Sequence, residues 1–84
     1  MELAFITDPG HGWLLVTTGQ LAEVGLTPDA FSRFSYRQGD VLALEEDCDL
    51  GVFLEAYTAK FQETPLIHAR HLDHDAPVRS WARL

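Results

Sequence analysis

Three stretches of this sequence hold residues whose types and spacing could do chemistry. In "DVLALEEDCD", residues 40–49, Asp40, Glu45, Glu46, Asp47 and Asp49 surround a lone cysteine, Cys48, with no cation among them. Carboxylates at that density could hold a divalent cation, act as an acid–base pair or face a basic partner. In "HARHLDH", His68, His71 and His74 recur at intervals of three and offer imidazoles to a metal. In "VRSWARL", Arg79, Trp81 and Arg83 alternate with Val78, Ser80, Ala82 and Leu84, which on an extended chain puts a tryptophan between two arginines on one face.

Each stretch also has a plainer reading. The acidic run lacks the alternating ligands and central glycine of a calcium loop, so no metal is expected there. Asp47 or Asp49 can cap the helix that follows, where negative charge contributes about 0.3–1 kcal/mol per group. Capping uses one or two acids, and the surplus reads as a partner-facing acidic surface. Cys48 stands where a helix dipole would favour a thiolate, but Glu46, Asp47 and Asp49 oppose ionisation. It reads as a small apolar residue packed inward in the first helical turn. On a strand, His68 and His74 share one face while His71 and Asp73 take the other, so the histidines form no three-ligand set. Arg79 and Arg83 either fold back over Glu45 and Glu46 or flank Trp81 as the anchor of an interface. His11 in "GHGW" has Asp8 as an orienting carboxylate but no identifiable nucleophile. No enzyme, cofactor or resident metal is expected.

The elements that must position these residues follow from local pattern. "ELAFIT" and "WLLVT" read as strands joined by "DPGHG", with Pro9 and Gly10 forming a tight turn in which Gly10 takes a positive φ and Trp13 anchors the hairpin in the core. Thr17 and Gln20 have capping-box spacing before a short helix that Gly25 stops. Thr27 and Pro28 open a single turn. A second hairpin is predicted over 33–46, with Phe34 and Tyr36 on one face and Gly39 in the turn. Leu50, Phe53, Leu54, Tyr57 and Phe61 recur with helical period, which predicts the main amphipathic helix, ended by Thr64 and Pro65. "LIHARHL" and "VRSWARL" read as the last two strands. The order ββαββαββ predicts one α+β domain over residues 1–84, an antiparallel sheet of five to six strands with one long and one short helix on one face.

Eighty-four residues with 46% hydrophobic content suffice for one thin core. One cysteine excludes an internal disulfide framework and fits a reducing cytoplasm. The N-terminus has no basic, apolar leader pattern, and no segment approaches the length of a membrane span. Thirteen Asp and Glu against six Lys and Arg give a net charge of −7, which repels nucleic acid and anionic lipid and favours a basic partner. With the acids gathered at 40–49 and Arg70, Arg79 and Arg83 near the end of the chain, two separate electrical ends are expected.

The stretches "DPGHGWLLV", "SYRQGDVLALEEDCDLGVFLEAY" and "HLDHDAPVRSWARL" resemble a family of small proteins of bacteriophages, prophages and plasmids. The resemblance spans nearly the whole chain and brings no catalytic residues with it. It implies a mobile-element protein that blocks a host defence or nucleic-acid-handling complex, as anti-CRISPR proteins do. The alternative expectation is a structural or regulatory accessory protein, in the form of a homodimer that pairs edge strands.

Overall fold

The computed structural model describes all residues, Met1–Leu84. Strands β1 (Glu2–Thr7) and β2 (Gly12–Thr17) form the first hairpin, in register from Ala4 opposite Leu15 to Thr7 opposite Gly12. Helix α1 (Thr18–Glu23) begins on the expected capping box: Gln20 N–H donates to Thr17 Oγ1 at 3.1 Å, and Thr17 N–H to Gln20 Oε1 at 2.9 Å. It ends with Leu26 N–H bonded to Leu21 O and Gly25 N–H to Ala22 O, with Gly25 at φ 78°, a left-handed position that glycine fills without steric cost. A single 3-10 turn, Pro28–Ala30, follows Thr27.

Strands β3 (Tyr36–Gln38) and β4 (Val41–Glu45) meet across a two-residue turn whose Gly39 has φ 58°. This hairpin is shorter than the 33–46 reading. Ser35 N–H bonds back to Ser32 O and Phe34 N–H to Ser32 Oγ, so local serine bonds close a turn where a longer strand would run. Tyr36 is consequently buried and Phe34 is half exposed, rather than both lying on one strand face.

Helix α2 (Leu50–Phe61) has the predicted phase. Phe53 and Tyr57 are buried, Leu50, Leu54 and Ala56 pack against the core, and Phe61 emerges at the end. Strand β5 (Leu66–His71) then pairs with β1 from Glu2 opposite Leu66 to Thr7 opposite His71, and this pairing is parallel. An all-antiparallel sheet is therefore corrected to a mostly antiparallel one. The cause is chain direction. Both β1 and β4 run opposite to β2, and α2 carries the chain back from the end of β4, so β5 enters in the sense of β1.

The second correction concerns "VRSWARL". Pro77–Ser80 is a 3-10 turn, and only Ala82–Arg83 is strand (β6), paired with β3. Pro77 lacks a donor and fixes φ, which suits the first position of a helical turn rather than a ladder. The sheet order is β5-β1-β2-β4-β3-β6, so residues 72–81 cross from one edge of the sheet to the other. Their crossing buries the second face. Leu3, Leu14, Val16, Leu42 and Leu44 pack under the helices on the first face, whereas Trp13, Tyr36 and Ala43 pack under Ala76 and Val78 on the second. Strands with both faces covered read as continuous apolar runs, as "WLLV" and "VLAL" do. No helix is long and apolar enough to cross a membrane.

Candidate functional site

The crossing segment, the β1–β2 turn and the turn after β4 enclose one cleft of about 230 Å³ on the second face. Trp13 and Glu45, opposite each other on β2 and β4, form its floor. His11, Asp47 and Cys48 stand on one side, and Phe34, Arg79 and Arg83 contribute the rest, with Tyr36 between. The acidic turn and the C-terminal arginines, expected at separate electrical ends, thus line the same space.

Asp8 ties this arrangement together. Its side chain is fully buried, and Oδ1 accepts from Gly10 N–H, His11 N–H and Arg79 Nη2, at 3.0, 3.0 and 2.9 Å. Oδ2 accepts from Arg79 Nε at 2.6 Å and from Ala76 N–H at 2.9 Å. The bidentate Arg79 guanidinium holds the Asp8 carboxyl far below the usual carboxylate range; burial opposes this, and the Ala76, His11 and Gly10 amides add to it. Asp8 in turn raises the Arg79 pKa further above its ordinary value. Gly10 does not take a positive φ. Its small size matters instead, because a Cβ there would lie 2.8 Å from Arg79 Nη2. The Arg79 partner is therefore Asp8, in place of Glu45 or Glu46, and the guanidinium lies over Trp13 at 5.2 Å. Arg83 covers Tyr36 at 4.9 Å and donates to Arg33 O. Trp81 does not stand between the two arginines on a strand face; it is partly buried and packs against the second-face core.

The five acids separate in space. Asp49 is buried and makes no capping bond; it accepts from Ser32 N–H, Ser32 Oγ and Ser35 Oγ, pinning the turn before β3 to the start of α2. Glu45 is also buried, with Oε2 accepting from Asp47 N–H and Cys48 N–H at 2.9 Å each. Neither is a surface group, because in each the carboxylate satisfies amides or hydroxyls that the adjoining turn leaves unpaired. Asp47 is exposed and lines the cleft, Glu46 is exposed outside it with its carboxylate near Gly12, and Asp40 is exposed at the far end of β4, about 16 Å of strand away. Cys48 lies in the turn before α2 and is exposed, not packed inward. Glu45 is the largest influence holding its thiol above the ordinary pKa, followed by partial burial and the charges of Glu45, Asp49 and Asp47, so the sulfur is a weak nucleophile at neutral pH.

His68, His71 and His74 stay apart. His68 Nε2 meets Glu2 at 2.9 Å, His71 Nδ1 meets Thr7 Oγ1 at 2.8 Å, and His74 Nδ1 meets Asp75 O. The histidine that stands among the carboxylates of the cleft is His11. Its Nδ1 is 3.4 Å from Glu45 Oε1, and ligand atoms of His11, Glu45 and Asp47 lie within 4.8 Å of one another. Sequence reading placed His11 beside Asp8 and missed Glu45, which is 34 residues on and reaches it through the β2–β4 pairing. Phe34 and Tyr36 were read as a strand face and their place at the cleft was missed. Comparison of the chain with family models, with curated proteins and with solved structures gave no match.

Proposed function

We propose that the protein acts by binding, as a non-enzymatic inhibitor encoded by a mobile element that occupies a nucleic-acid-handling or defence complex in the host cytoplasm. The observation that supports this reading is the rim of the cleft. Phe34, 50% exposed, lines it together with Arg83 and the exposed Asp47. An exposed aromatic beside an arginine is the residue pairing that anchors interfaces, and exposed carboxylates on a chain of net charge −7 steer it toward a basic surface such as one built to hold nucleic acid. The acidic part of the interface is thereby reduced from five residues to Asp47 at the cleft, with Glu46 exposed outside it and Asp40 more distant. The test is titration of purified nucleic-acid-cleaving defence complexes over a salt series. Asp47→Asn is expected to slow association and flatten its salt dependence, and Phe34→Ala to speed dissociation. Inhibition that neither change alters would refute this surface.

A second reading, an accessory homodimer, draws on β5. This edge strand is exposed along its whole length and carries Leu66, 58% exposed, and Ile67, 37% exposed. Unpaired edges of this kind join other strands. Sedimentation equilibrium decides: a dimer that Ile67→Lys dissociates supports it, and a wild-type monomer at high concentration removes it.

A further inference from the structure

From the cleft floor we infer a binding site for a divalent transition-metal cation, with His11 Nδ1, Glu45 Oε1 and Asp47 as ligands. The inference is independent of the inhibitor reading. The decisive atom is Glu45 Oε1. The Glu45 side chain is only 8% exposed, and its other oxygen is committed to the amides of Asp47 and Cys48, yet Oε1 is buried with no hydrogen-bond partner. A buried carboxylate oxygen left bare is costly unless a cation or donor meets it. Both nearby arginines are engaged elsewhere, Arg79 with Asp8 and Arg83 with Arg33 O and the Tyr36 ring.

Geometry favours a metal over an accidental approach. Around a tetrahedral ion with ligand bonds of about 2.0–2.1 Å, neighbouring ligand atoms stand roughly 3.3–3.4 Å apart. His11 Nδ1 and Glu45 Oε1 are 3.4 Å apart. Asp47 is within 4.8 Å and exposed on a turn, so a rotamer change closes the remaining gap. Glu45 cannot drift, because its backbone is held in β4 and its Oε2 by two amides. The His11 ring is backed by Trp13, with centroids 6.1 Å apart. One imidazole with two carboxylates suits Zn²⁺ or Mn²⁺ better than Ca²⁺ or Mg²⁺, and three protein ligands leave a position open to the cleft.

The probe is the metal alone. Calorimetric titration of the full chain with Zn²⁺ is expected to show one site per chain. His11→Ala and Asp47→Asn are each expected to weaken it by more than about tenfold, the loss that even outer-shell partners produce. His71→Ala, on the far edge strand, should leave it unchanged. Mn²⁺ should broaden amide resonances around residues 11–13 and 45–48, a readout that does not depend on any activity. Absence of stoichiometric binding, or binding that His71→Ala abolishes while His11→Ala spares it, overturns the inference and leaves His11 and Glu45 as a plain ion pair.

Discussion

Asp8 is the residue on which the site turns. It accepts five hydrogen bonds from two parts of the chain that are distant in sequence, and without it Arg79 and the Ala76 amide lose their partner. Its native pKa lies far below the ordinary value, so its contribution to stability is fully present above about pH 4, the unfolded carboxyl range, and is lost as pH falls toward the native value. Asp8→Asn is therefore expected to lower the denaturation midpoint at neutral pH and to make the decline below about pH 4 shallower than in wild type. Parallel curves at every pH would show that Asp8 carries no such linkage. Cys48 is the opposite case. Exposed in a turn, with its thiol held protonated, it contributes neither packing nor a nucleophile. Cys48→Ser is expected to leave the thermal midpoint and the inhibition of a target unchanged, and loss of inhibition by a folded variant would bring covalent chemistry back.

Among the elements, α2 determines whether there is a fold to carry the site. Phe53 is fully buried between α2 and the first sheet face, and Phe53→Ala should cost about 3–5 kcal/mol, a large part of the stability of so small a domain. A midpoint within a few degrees of wild type in thermal unfolding would contradict that packing. The sequence made this helix, the capping box on α1, the Gly25 stop and the Gly39 turn readable, because each depends on neighbours within a few residues. The parallel pairing of β5 with β1 and the passage of residues 72–81 across the second face were not readable in the same way. Both follow from where α2 returns the chain, and a period-two pattern in "VRSWARL" cannot reveal that Pro77 begins a helical turn. The contacts of the site share this property. Arg79 meets Asp8 across 71 residues, and nothing in the local pattern distinguishes Asp8 from Glu45 or Glu46 as its partner.

For the whole molecule, the consequence is a change in electrical layout. A chain with acids near its middle and arginines near its end folds so that both reach one cleft, with Glu45 and Asp49 internal, Asp47 at the rim, and Arg79 neutralised from within. The proposed binding surface is therefore a compact rim that carries both signs of charge and an exposed Phe34, rather than a broad acidic face. The most direct measurement expresses the chain in bacteria that carry a nucleic-acid-cleaving defence system and counts surviving targeted plasmids, for wild type, for Phe34→Ala with Arg83→Ala, and for Ile67→Lys on the distant edge strand, all verified as folded. Wild type and Ile67→Lys are expected to protect the plasmid and the rim variant to fail. Protection by the rim variant at the wild-type level, or none by wild type against any such system, would contradict the account.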